Sequence, residues 1–146
     1  MAEVLLEKNF QIRGGDFDKA GETSDEVKQI LKSLGVNSGL IRRAVIIIFE
    51  AEMNVVMYAR RGVVTFTLTE DEIRLAIRDE GPGIEDIDKA MTEGFSTATD
   101  EMRLMGFGFG MGLPNIRKNS DLFDIRSEVG AGTTVCSVVR LNHNAS

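Results

Sequence analysis

The segment SGLIRRAVIIIFEAEMNVVMYARRG, residues 38–62, constrains the fold more than any other. It reads as one long helix ended by Gly62, and Ile46, Ile47, Ile48, Phe49, Val55 and Val56 call for burial of much of it. Its longest uninterrupted apolar run, AVIIIF, is far short of a membrane span. The chain must therefore cover this helix with its own layer.

The covering elements are legible. EVLLEKNFQIR, 3–13, is a first strand, and GGDFDKAG a turn. TSDEVKQILKSLGV spaces Val27, Ile30, Leu31 and Leu34 as a helix, with Ser24 or Thr23 as cap and Gly35 as stop. Val64–Thr69 and Ile73–Asp79 form a hairpin around Glu70–Asp71. EDIDKAMTEG is a short helix, 95–112 a loop, and LPNIRKNSD a helix with Pro114 in its first turn. DLFDIRSEV and TTVCSVVRL close the chain as strands around GAG. Hairpins with helices grouped between them predict a two-layer α/β sandwich, a mixed sheet covered by helices on one face. Nothing marks a boundary, so residues 1–146 are expected to form a single domain.

Several chemistries lack their parts. The only histidine, His143, lies in the tail NHNAS, which removes a Ser–His–Asp triad, a Cys–His pair and a multi-histidine zinc site. The one cysteine, Cys136, lies in an apolar alternating run and is expected in the core. A net charge of −6 speaks against nucleic acid as a partner. MAEVLLEKNF lacks the basic and apolar regions of a secretory leader, so the expected location is the cytoplasm, with no membrane partner.

Three stretches carry polar groups that a plain scaffold does not need. On the long helix Glu50, Asn54 and Tyr58 share one stripe. Taken alone, the stripe fits either a solvent-facing strip or a pocket wall. In a pocket, a carboxylate can act as general base and an amide oxygen suits Mg²⁺. RDEGPGI, 78–84, ends an apolar strand in Asp79, with Gly81 and Gly83 across a turn. This is either a type II turn or the mouth of a site where Asp79 accepts from an exocyclic amine and the glycines admit a flat ring.

GFGFGMGL, 106–113, places glycine at every second position. It matches neither the P-loop nor the dinucleotide fingerprint. It is either a flexible surface loop or backbone that approaches phosphates. VGAGTTV, 129–135, is by itself only a turn followed by strand-forming threonines.

The combination and its order are specific. Glu-x-x-x-Asn on a helix, Asp-x-Gly-x-Gly, a glycine-rich lid and Gly-x-Gly-Thr on the closing hairpin together resemble the Bergerat ATP-binding fold shared by gyrase, histidine kinases and MutL, over about residues 38–135. Within that superfamily, EGFSTA, FEAEMNVVMYARRG and GFGMGLPNIRKNSDLFDIRSEVGAGTTV look most like the small bacterial anti-sigma and switch-protein serine/threonine kinases, in particular those of stress modules.

The resemblance implies ATP and Mg²⁺ as cofactors and a STAS-domain protein as substrate. A sigma factor or a downstream regulatory protein is a further implied partner, and a homodimer is left open. It makes Glu50 the base, Asn54 the Mg²⁺ ligand and Asp79 the adenine anchor, with Gly81, Gly83 and Ile84 beside the ring. Gly106, Gly108, Gly110, Met111, Gly112 and Leu113 become lid and phosphate backbone, Thr133 or Thr134 supplies a hydroxyl near adenine, and Arg103 neutralises γ-phosphate charge. Tyr58 stands where anti-sigma relatives often carry histidine, and the lid has more glycines than usual. The alternative to a kinase is an anti-sigma factor that works mainly as a nucleotide-gated binding module.

Overall fold

A computed structural model describes residues 3–92 and 112–141. The elements are β1 (Val4–Arg13), α1 (Glu22–Ser33), α2 (Ser38–Tyr58), β2 (Arg61–Thr69), β3 (Glu72–Asp79), α3 (Ile87–Ala90), α4 (Gly112–Asn119), β4 (Leu122–Glu128) and β5 (Gly132–Arg140). The sheet runs in the order β1-β2-β3-β5-β4. Alternate strand residues, among them Phe10, Ile12, Val64, Phe66, Ile73, Leu75, Ile77, Val135 and Val139, meet Ile47, Ile48, Val55 and Val56 of α2 and Val27 and Leu31 of α1 in one core.

The sheet departs from the expectation of mixed strands, because all four pairings are antiparallel. The crossover after β3 delivers the chain to the far edge as β4, and the tight hairpin returns β5 between β4 and β3. β4 runs parallel to β3 without touching it.

Three local readings are also corrected. The long helix stops at Tyr58, Ala59 is extended, and Gly62 lies within β2 opposite Ile12 and Asp79. A Cβ on Gly62 would come within 2.8 Å of Val55 Cγ2, so this glycine lets strand and helix approach rather than ending the helix. Neither Thr23 nor Ser24 caps α1. Its first turn, with Gly21 at the N-cap, donates N–H groups to Glu52 of α2 instead. Cys136 is exposed, because on β5 the buried positions are Val135, Ser137 and Val139, and the cysteine falls on the open face of the sheet. Gly35, at φ +76°, follows α1 as expected of a helix stop.

Candidate nucleotide site

α2 begins at Asn37, whose side chain accepts from the N–H groups of Gly39 (2.8 Å) and Leu40 (3.4 Å). Its apolar faces pack on the sheet and on α1. The remaining stripe, Glu50, Asn54 and Tyr58, opens into a cavity of about 940 Å³ between α2, the turn after β3, α4 and the β4–β5 hairpin. Ile77, Ile116 and Val135 supply an apolar lining, and Asp79, Gly81, Gly83, Ile84, Gly112, Leu113 and Thr133 reach the same space. The polar groups of three separate stretches thus converge on one cavity large enough for a nucleotide.

At one end Asp79 is held by backbone. Its Oδ1 accepts from Thr133 N–H at 3.0 Å. Burial pushes its carboxyl above the usual range, and the N–H groups of Thr133 and Gly81 oppose that rise. Gly83 and Gly132 make this end possible. Gly83 sits at φ +78°, where a Cβ would lie 2.3 Å from Glu128 O, and Gly132 at φ +143°, where a Cβ would lie 2.1 Å from Asp79 O. Ser127 Oγ accepts from Ile84 N–H at 2.8 Å, stands 2.8 Å from Thr133 Oγ1 and lies 3.2 Å from Gly132 O. All three contacts are satisfied when Thr133 donates to Ser127 and Ser127 donates to Gly132 O. Thr134, paired with Arg78 and Arg126, belongs to the opposite face of the sheet and does not line the cavity.

At the other end Glu50 and Asn54 meet α4. Asn115 Nδ2 donates to Glu50 Oε2 at 2.7 Å. Gly112 passes so close to Asn54 that a Cβ there would lie 3.1 Å from Oδ1. Arg103, Gly106, Gly108, Gly110 and Met111 lie outside the described residues. Nothing in the sequence singles out Asn115 or Ser127, whereas Gly132 belongs to the Gly-x-Gly-Thr motif. Asn115 follows Pro114 in what looks like a helix start, and only the packing of α4 on α2 shows what its side chain meets.

A model of the histidine kinase-, DNA gyrase B-, and HSP90-like ATPases matches residues 39–143. The chain belongs to this family. Serine/threonine-protein kinase RsbT of Bacillus subtilis is 30% identical over 115 residues, 76% of this chain and 80% of RsbT. An anti-sigma F factor of Caldanaerobacter subterraneus subsp. tengcongensis is 33% identical over 91 residues, 59% of this chain and 60% of that protein. Among solved structures, a chain of the SiaB-SiaC complex from Pseudomonas aeruginosa superposes with a TM-score of 0.61 at 14% identity, covering 93% of this chain and 89% of that one. At that identity the likeness speaks for the fold.

The cavity fits the family's ATP. It offers an apolar floor, a carboxylate acceptor at one end, and an amide and a helix N-terminus at the other. Among the described residues no cluster of three or more His, Cys, Asp or Glu side chains is placed to hold a metal ion. No helix among them is long and apolar enough to cross a membrane.

Proposed function

We propose that the chain is an ATP- and Mg²⁺-dependent protein serine/threonine kinase acting on a STAS-type antagonist or scaffold protein of a bacterial partner-switching module. One observation carries this reading: Glu50 and Asn54, one helical turn apart, face the same cavity as Asp79. The resemblance of the chain to RsbT, a named serine/threonine-protein kinase, supports it.

ATP supplies the phosphoryl group. Such transfer asks a protein mainly for positioning and charge stabilisation. Asp79 accepts from the exocyclic amine of adenine, and Thr133, its proton given to Ser127, keeps only acceptor capacity nearby. The Asn54 amide oxygen is a hard donor of the kind Mg²⁺ takes alongside phosphate oxygens. The first turn of α4 presents backbone N–H groups to the phosphates. Glu50 takes the proton of the acceptor's serine or threonine hydroxyl as its oxygen bonds to the γ-phosphorus and the bond to ADP breaks. In this reading residues 1–146 work as one domain in the cytoplasm, where ATP is available.

The test uses γ-labelled ATP, Mg²⁺ and a dephosphorylated lysate of the source cell, with Glu50→Gln alongside. A phosphoserine or phosphothreonine band that disappears in the variant is expected. ATP binding without any Glu50-dependent band would sink the kinase reading. That result favours the second reading, a nucleotide-gated anti-sigma module, which the 33% identity to an anti-sigma F factor supports.

A further inference from the structure

We propose that Asn115 is the positioning residue for Glu50, and that it makes the orientation of the base depend on the seat of α4 along α2. This rests on the kinase reading above.

The two helices run in opposite directions, and their polar contacts step along both. Gly112 lies against Asn54, Asn115 meets Glu50 at 2.7 Å, and Asn119 O accepts from Arg43 Nε at 3.0 Å. Asp121, just beyond α4, takes Arg43 at 3.0 Å as well. Asn115 is flanked by Pro114 and Ile116, both buried, so the backbone that carries it is fixed by the core. Its side chain is short, with few rotamers to lose on ordering.

A carboxylate offers only acceptors, which sets the amide with its NH₂ toward Glu50. The contact is a charge-assisted hydrogen bond and holds one carboxylate oxygen, Oε2. The other oxygen, Oε1, is then the one that takes the acceptor hydroxyl. Without Asn115 the carboxylate rotates over several rotamers, few of which aim an oxygen at the incoming proton. Because α4 also presents its first turn to the phosphates, a shift of α4 moves Asn115 and the base together.

Asn115→Leu keeps the approximate shape, stays uncharged and removes the donor. Transfer from MgATP to the source cell's purified STAS-domain proteins should show kcat reduced about ten- to hundredfold, the size of one charge-assisted hydrogen bond. KM for both substrates and ATP affinity by calorimetry should stay within about twofold, as for an interaction that orients the base without binding substrate. Any residual transfer in Glu50→Gln should not fall further when Asn115→Leu is added, because Asn115 acts through Glu50. Should the leucine unfold the chain, Asn115→Ala, which also lacks the donor and adds no charge, carries the same expectations. Unchanged kcat, or ATP affinity and melting temperature falling with kcat as for a mere staple between helices, would overturn the inference and leave the kinase reading standing. Wild-type protein without Glu50-dependent transfer would remove both.

Discussion

Glu50 and Glu52 stand two residues apart on α2 and about 200° apart around it, so one helix aims two carboxylates at opposite tasks. Glu50 faces the cavity. Glu52 is 2% exposed and accepts from the N–H groups of Gly21 (3.0 Å), Thr23 (3.2 Å) and Ser24 (3.4 Å), closing the N-terminus of α1. The same helix is thereby tied to α1 by one glutamate and turned to the cavity by the other.

Glu52 should matter for stability and its ionisation should show. Glu52→Ala leaves three backbone donors at the α1 N-terminus without their acceptor, an expected loss of about 2–3 kcal/mol in denaturant unfolding. Burial raises its pKa above the ordinary 4.5, more than the three N–H groups lower it, with Glu22 adding to the rise. A carboxyl with a raised folded pKa binds its proton more tightly folded than unfolded. Its contribution is therefore greatest below pH 4.5 and declines as pH rises from there to the folded pKa. The stability difference between wild type and Glu52→Gln, followed from pH 4 to 8, should fall with pH and then level. A flat difference would mean that burial does not govern this group.

Asp79→Asn should weaken ATP and ADP binding alike. Thr133 N–H already takes Oδ1, so an asparagine would keep its oxygen there and turn its NH₂ toward the amine it has to accept from. Losing a charged acceptor corresponds to about 1.5–3 kcal/mol, or at least tenfold in affinity. Because burial raises the Asp79 pKa, wild-type affinity should also decline on acidification at a higher pH than an ordinary aspartate allows. The variant should not follow that decline. Equal affinities by calorimetry would discredit the adenine anchor.

Two neighbouring glycines should behave differently. Gly132→Ala places a Cβ 2.1 Å from Asp79 O at φ +143°, and should cost at least about 3 kcal/mol together with nucleotide affinity. Gly130, at φ +85° with nothing within 4 Å of a Cβ, should cost only about 1 kcal/mol on the same change. Chemical denaturation of both variants checks the order. Similar losses would mean that the hairpin relaxes around Gly132.

The parts of this site that follow from local periodicity are visible in the sequence. Glu50, Asn54 and Tyr58 share a stripe because helical geometry puts them there, and Asp79 ends an apolar strand at a glycine turn. The site's supports are not visible in that way. Gly62 looks like a helix stop, and its role is set by Val55 packing from another element. Cys136 looks buried because β5 is apolar on both faces near it, and only the pairing with β3 and β4 fixes which face meets the helices. Thr133 and Thr134 are equivalent in sequence, and one residue of register separates the cavity from the open face. Glu52, Asn115 and Ser127 act across long sequence separations, where no local pattern points to a partner.

Asn54 gives the cleanest test of the metal assignment. Its side chain sits beside Gly112 with 3.1 Å between Oδ1 and the position of a Cβ there, and it is half-buried, so removing it should change stability little. In wild type, ATP should bind more weakly in EDTA than in Mg²⁺, because an amide oxygen alone does not hold the phosphates. In Asn54→Ala the two affinities should become equal, at the level of wild type in EDTA. Gly112→Ala should reproduce part of that loss, since the new methyl group crowds Oδ1 without touching its chemistry. Calorimetric titrations of the three proteins with and without Mg²⁺ decide it. If Asn54→Ala retained the full Mg²⁺ dependence of wild type, the ion would have to be held elsewhere, and Asn54 would be left as a wall of the cavity.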